Sequence, residues 1–453
     1  MNTIRVLALM ACAGLAACVH YEPKPVPIGR FTDAYDSRQL NEHPPGAVWS
    51  DADLLQGAIA RSPAAAEAAS NYRSLLAAAK ASRAPPPISL LLVAEYSRDA
   101  GGTSPWLFSG LLNIPLDYGT KRSARLNAAD LAAMQGLYDY SEALWTVRSA
   151  VVHAHIQRAA AEREAILAQQ IVQLRQDRAN KLQNRIRSGE DARAAGITAE
   201  TELAAAQHRV QDLLNLRSQA DEALAKALGA PFPAIQALGL APLPDAIPTV
   251  QTDALRQWRQ DATLKRADVL RAVIDYNIAE ENLRLEVAKQ YPDVQIGPGY
   301  TFERGEHKIP FDLTLILPPA DLNKANIQAA EAKRALAAAK LDGMQAMVLT
   351  AVDLGTTALI GDQASLNRSL NQDLPLARRA AQAASKALAA GELDRLDEEF
   401  ARAAALEAEL AVLEAWRTTW LAVADLEDAL HRPSPAEAAI LDAAVKRIGD
   451  KAS

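Results

Sequence analysis

The chain has 453 residues, room for two or three ordinary domains or for one extended architecture. Its 48 basic residues are outnumbered by 55 acidic ones, for a formal charge of -7, so it lacks the basic stripe that nucleic-acid binding requires. Apolar residues make up 49% of the chain but aromatics only 5%, and the abundance of alanine favours long helices packed on small side chains over a domain with a thick aromatic core.

The opening MNTIRVLALMACAGLAAC reads as a secretory signal over residues 1–17, with Arg5 as a short basic region before an apolar stretch. Leu15-Ala16-Ala17-Cys18 resembles the bacterial lipobox, which predicts cleavage before Cys18 and acylation of that cysteine; ordinary cleavage beside a chance cysteine is the plainer alternative. Val19, rather than Asp, favours delivery to the outer membrane in the lipoproteins this resembles. Cys12 and Cys18 are the only cysteines, so the rest of the chain has neither a disulfide framework nor a cysteine metal site. No uninterrupted run of 18 apolar residues occurs, and no membrane-crossing helix is expected.

Residues 18–49 are rich in proline and polar groups and read as an N-terminal tether. A first unit covers 50–233. It holds an alanine-rich helix from Ser50 to about Arg83, a strand pair at 87–116, a helix of about 69 residues from Gly119 to Ser188, and another helix from Gly189 to Gly229. A proline-rich linker, 234–249, precedes a second unit at 250–431: helix 250–290, strand pair 293–317, long helix 320–390, a break at Gly391, and a last helix to Leu430. Residues 432–453 read as a tail. The units superpose by subtraction. Gly189 to Gly391 is 202 residues, and Ala227-Leu228 to Ala429-Leu430 is also 202, which marks an internal duplication.

Both strand pairs alternate with period two. Leu90, Leu92, Ala94 and Tyr96, then Trp106, Phe108, Leu112 and Ile114, occupy one face of the first pair. Val294, Ile296, Tyr300 and Phe302, then Ile309, Phe311, Leu313 and Leu315, occupy one face of the second. Each run is about ten residues, the length of a transmembrane strand. Tyr96, Trp106, Phe108, Tyr300, Phe302 and Phe311 are the candidate membrane-interface aromatics, and the tips 99–104 and 304–307 are polar. Two soluble hairpins capping a helical body would leave that apolar face in water, which four strands cannot cover by themselves.

Two repeats of helix, strand pair, long helix and helix behind a lipobox resemble the TolC-like outer-membrane efflux protein family over essentially the whole mature chain. Lys265-Arg266-Ala267-Asp268-Val269 stands where the family shows "RPD", with Ala replacing Pro, and Arg61-Ser62-Pro63 occupies the matching place in the first half. Gly391-Glu392-Leu393-Asp394 matches the family's glycine, turn and "LD" before its last helix. Gly189-Glu190-Asp191-Ala192 departs from it. The resemblance implies a mainly α fold with a membrane β-barrel: a duplicated helix–hairpin–helix unit forming a homotrimeric 12-stranded outer-membrane barrel, continued by a long periplasmic α-helical barrel. Closure arithmetic agrees, because four strands cannot close a barrel and three chains supply twelve. Gly189 and Gly391 would then be the periplasmic turns. The resemblance places Asp397 at an acidic position of the duct mouth, with Asp394, Glu398 and Glu399 as further gate candidates, while Phe400 stands where a second acid is often found. A carboxylate suited to the first turn of a helix is the equally plain reading of Asp397.

No catalytic constellation is found. His153 and His155 point about 200° apart on a helix and cannot share a metal. There is no P-loop, G-x-S-x-G or G-x-G-x-x-G, so an enzyme, a cofactor or a metal is not expected beyond the lipid on Cys18. The resemblance implies a passive exit duct for small toxic molecules, drugs or metal ions. Its partners would be a periplasmic adaptor and an inner-membrane pump of resistance-nodulation-division type. The rival is a lipid-anchored periplasmic coiled-coil scaffold without a pore, which has no use for two alternating, aromatic strand pairs.

Overall fold

A computed structural model describes residues 21–26, 28–38, 40, 47–98, 104–248, 252–303, 305–319 and 321–450. Cys18, the signal segment 1–17 and the hairpin-tip residues 99–103 lie outside these. A short helix, α1 (Phe31–Asp36), and a two-residue strand, β1 (Val48–Trp49), precede the first unit. That unit runs α2 (Asp51–Arg61), α3 (Pro63–Ala81), β2 (Ser89–Tyr96), β3 (Trp106–Pro115), α4 (Gly119–Arg187) and α5 (Arg193–Leu228). A connector holds α6 (Phe232–Gln236) and β4 (Gly239–Leu240), and β4 pairs in parallel with β1. The second unit runs α7 (Thr252–Lys265), α8 (Ala267–Ala288), β5 (Asp293–Glu303), β6 (Glu306–Lys308), β7 (Phe311–Ile316), α9 (Lys324–Arg368), a π turn at Ser369–Asp373, α10 (Leu374–Ala389) and α11 (Arg395–Leu430). A final helix, α12, spans Pro435–Asp450.

The 69-residue α4 occupies the span its sequence predicts, about 100 Å of unbroken helix. It enters at Gly119 (φ +72°) and stops before Gly189 (φ +82°), two left-handed positions that a side chain would strain. Ser50 and Asp53 cap α2 reciprocally: the Asp53 amide donates to Ser50 Oγ (3.3 Å), and the Ser50 amide donates to the Asp53 carboxylate (3.0 Å).

Four expectations are corrected. The helix over 50–83 is broken at Ser62, because Pro63 lacks an amide and can only open a new helix. The helix over 250–290 breaks at Arg266 with no proline present. There the Arg266 guanidinium reaches the backbone carbonyls of Asp428 and Ala429 at the end of α11, where helical carbonyls run short of amide donors. The long helix over 320–390 carries the π turn just before Pro375, whose ring and missing amide disturb the regular ladder. The segment 432–453 is not a plain tail, since α12 docks Ala444 and Ile448 against Ala65, Ala69, Tyr72, Tyr140 and Leu144.

Packing is along the helices, with α4 at the centre. It lies against α3, α5, α8 and α11. Where the units meet, Val152, Ile156 and Ala160 of α4 pack on Leu366, Trp416 and Ala424 of the second unit. Along α11, Leu410, Trp416, Val423 and Leu426 are buried at helical spacing. By length and composition the helical stretch Lys324–Ala389 is apolar enough to cross a membrane, although isolated charges interrupt its apolar run. Its outward side chains include Leu336, Met347, Leu354, Ile360 and Leu376, all exposed in the single chain.

Candidate functional site

The strands form one wall. β2 pairs with β3, β3 with β5, and β5 with both β6 and β7, all antiparallel. Segments β6 and β7 keep the same register on β5, so they are two parts of one return strand joined through Pro310, whose carbonyl accepts from the Gly299 amide (2.9 Å). Register fixes the faces. Leu90 lies opposite Leu112, Ala94 opposite Phe108, Phe108 opposite Phe302, Ile114 opposite Ile296, and Ile296 opposite Leu313. The apolar sets predicted for the two hairpins therefore merge on a single face, and most of them are exposed, Leu92 at 72% and Leu313 at 63%. Ser109 and Thr301 lie on the other face, joined by their hydroxyls at 3.0 Å.

On that second face β5 tolerates no side chain at two points. A Cβ on Gly299 would lie 2.9 Å from the Gly110 carbonyl oxygen, and one on Gly297 would lie 3.1 Å from that of Leu112. Tyr96, Trp106 and Phe108 cluster near the tip of the first hairpin, with ring centroids 5.0 and 5.6 Å apart. Tyr300 and Phe302 gather around His307 at the tip of the second, where the Tyr300 hydroxyl is hydrogen-bonded to His307 Nδ1 at 2.5 Å. Phe311 lies opposite Pro298 on the same face, 69% exposed.

At the far end of the rods, Gly189 and Gly391 (φ +75°) each follow a helix C-terminus. Arg185 ties the two turns together, pairing with Asp191 (2.7 Å) and with Asp394 of the other unit. That guanidinium holds the Asp394 carboxyl below the usual carboxylate range. Asp394 also caps α11, accepting from the Leu396 amide. Glu399 is buried and paired with Lys181, and with Arg395 at 3.6 Å. Of the four acidic candidates, Asp397 and Glu398 have no ion pair among the described residues, and Asp397 is the exposed one. Phe400 lies under Arg178 and Arg175, 5.2 and 5.8 Å from its ring centre.

Midway along the rods lies a polar network that the sequence did not disclose. Arg148 of α4, its side chain 2% exposed, donates to Asp428 (3.0 Å), Glu437 (3.2 Å) and Glu427. Burial alone would lower the pKa of the guanidinium, but Glu437 and Glu427 raise it on balance, so it stays charged. Burial pushes the Glu427 carboxyl up, against the pull of Arg148. His155 is packed between Asp51 (2.5 Å) and the Ala241 carbonyl (2.8 Å), while His153 faces Asp425 (2.8 Å). The two histidines thus serve separate partners, as the helical spacing predicts. One signal for this network was in the sequence: Ser434-Pro435-Ala436-Glu437 is a capping box. The Ser434 amide donates to Glu437 (2.9 Å), and the Glu437 amide donates back to the serine hydroxyl (3.4 Å).

The fold is therefore a strand wall with one apolar face and two unpaired edges, carried on helical rods about 100 Å long in two repeats. Residues 54–230 match the family model "Outer membrane efflux protein". The outer membrane protein VceC from Vibrio cholerae superposes with a TM-score of 0.66 at 18% identity, covering 83% of this chain and 95% of that one. A membrane protein from Pseudomonas aeruginosa gives 0.70 at 17% identity over 93% and 99%. The Campylobacter jejuni CmeC outer membrane channel gives 0.70 at 12% over 87% and 89%. A comparison with curated protein sequences gave no match. The match to the outer membrane efflux protein model thus covers part of the first unit, and over nearly the whole chain the fold is the one these solved outer-membrane proteins share.

Proposed function

We propose that the protein is the outer-membrane exit duct of a tripartite efflux system. Three chains close a 12-stranded barrel, and the rods continue it as a tube into the periplasm. The observation that carries this reading is the strand wall: β2 and β7 are each paired on one side only, beside an apolar face that water does not suit. Three copies leave no free edge. The same closure gives the outward apolar side of α9 and α10 a neighbouring protomer to pack on. Acylated Cys18 anchors the chain to the outer membrane, the aromatics at the hairpin tips sit at the lipid interface, and residues 99–104 and 304–307 face outside. Gly189 and Gly391 turn the chain at the periplasmic end. There a periplasmic adaptor and an inner-membrane pump of resistance-nodulation-division type deliver small toxic molecules, drugs or metal ions, and the pump supplies the energy. Asp397, unpaired and exposed, contributes one acid per chain to a ring of three at the mouth, while Asp394 and Glu399 hold the turns closed through Arg185 and Lys181.

Electrophoresis of outer-membrane extracts with and without heating, followed by single-channel recording, tests the duct. A heat-dissociable trimer that conducts is expected. A monomer in mild detergent without channel activity returns the protein to the scaffold reading. Cysteines at positions 102 and 305 react with impermeant reagents on intact cells if the topology holds. An unmodified residue 18 in mass spectra of the mature N-terminus removes the lipid anchor. In the same recordings, Asp397→Ala that leaves conductance and cation selectivity unchanged removes the gate assignment while sparing the duct.

A further inference from the structure

At the seam between the two units, three side chains from three helices converge with donor atoms all within 4.8 Å of one another: Glu142 of α4, Asp268 in the first turn of α8, and His431 at the end of α11. The duplication shows how unusual His431 is. Its counterpart 202 residues earlier is Gly229, which closes α5 in the left-handed conformation (φ +58°) that glycine adopts freely. His431 closes α11 in the same conformation (φ +48°), which residues with a side chain adopt uncommonly.

Packing holds that imidazole in place. Its ring stacks on Trp145 at 4.4 Å, its side chain is 11% exposed, and neither ring nitrogen has a hydrogen-bond partner among the described residues. Its Nε2 lies 3.9 Å from Glu142 Oε2, itself shielded from water and without a hydrogen bond. A buried carboxylate oxygen without a hydrogen bond thus faces an imidazole nitrogen, an arrangement an ion between them would satisfy.

We propose that Glu142, Asp268 and His431 bind a divalent transition cation, with Zn²⁺ the best match. One imidazole and two carboxylates form a borderline donor set, and three protein ligands leave a fourth position for water. The 4.8 Å spread closes to bonding distances of about 2.0–2.2 Å by modest side-chain rotation. Arg266 counts against a cation: it already donates to both Asp268 oxygens (3.0 and 2.7 Å), so the ion would have to use their remaining lone pairs. Burial pushes the Glu142 carboxyl up to about 7, so taking a cation there displaces a proton. A cavity of about 450 Å³, lined by Trp258, Asp261, Arg266, His431 and neighbouring residues, adjoins the imidazole. The ion would clip the end of one unit to the middle of the other, whatever passes through the duct.

The test uses the full-length, tag-free protein in detergent, stripped by chelator and titrated with Zn²⁺ alone. Bound metal is counted by mass spectrometry, and thermal unfolding is followed in parallel. One ion per chain and a raised midpoint are expected. His431→Gly restores the residue its repeat-mate carries, so it should unfold no earlier than the stripped parent while binding Zn²⁺ at least about tenfold more weakly. Glu142→Gln should lose the ion as well. Zn²⁺ well below one per chain in the parent, or undiminished binding in both variants, overturns the site.

Discussion

The long rods of the two units share a length and an ancestry but not a role. In α4, 22 of 69 residues are buried in the chain's own interior, among them the charged or polar Arg148, His155, Arg158 and Glu164. In the 66-residue stretch formed by α9, the π turn and α10, only 7 are buried, all of them apolar. One rod is finished within its own chain and carries the polar network that fixes both units. The other is left with an apolar flank. The duplicated unit thus diverged by dividing the work, one copy organising the protomer and the other keeping surface for assembly.

Arg148 gives the hardest blow to this division. Arg148→Ala leaves Glu427, Asp428 and Glu437 facing one another around a buried void, and should cost about 3–5 kcal/mol in thermal or denaturant unfolding. A loss under about 1 kcal/mol would mean that the network is ornamental. Next are the strands, where the units should behave alike. Leu92→Arg and Leu313→Arg, one in each hairpin but on the same face, should each cost roughly 2–4 kcal/mol of membrane stability, measured by refolding into lipid vesicles. A large inequality between them would break the symmetry of the wall.

Leu354→Asp attacks the flank of α9 that the chain leaves open. It should lower the temperature at which the oligomer dissociates in mild detergent, by the order of 2 kcal/mol per buried charge, with the fold of the separated chain intact by circular dichroism. Unchanged assembly would deny that flank its role. The smallest effect is expected at His153, whose hydrogen bond to Asp425 raises its pKa above the ordinary 6.5. Because the folded pKa lies above the unfolded one, the pair stabilises fully below about pH 6.5 and loses its effect as pH climbs through the raised value. Asp425 is largely exposed, so His153→Asn should cost no more than about 1 kcal/mol at about pH 5.5 and almost nothing at about pH 9. An equal cost at both ends would point to packing rather than charge.

What could be read from the sequence follows from how local each signal is. The α4 boundaries were legible because glycines stand at both ends and no proline intervenes. The faces of the strands were legible because their period is strictly two, and pairing then merges them on one side. The break at Arg266 was not, since it depends on two carbonyls 160 residues away at the end of α11. Arg148 looks like any arginine on an alanine-rich helix until Glu427 and Glu437 are folded around it. The helix α12 was the avoidable miss, because Ser434 and Glu437 spell its start. At the tip, the motif named four acids, but only the fold separates the paired Asp394 and Glu399 from the unpaired Asp397.

The π turn at Ser369–Asp373 acts on the rod as a one-residue insertion. Each residue of an α-helix turns it by about 100°, so everything below the turn is rotated by that angle from where an uninterrupted helix would carry it. Above the turn the rod lies against α8 and α11, and below it only against α11. The phase shift therefore lets a single helix present one side to its neighbours near the strands and a different side near the Gly391 turn. Deleting one residue between 369 and 373 would erase that change of phase and turn the side chains of α10 away from α11, with no residue of α10 itself altered.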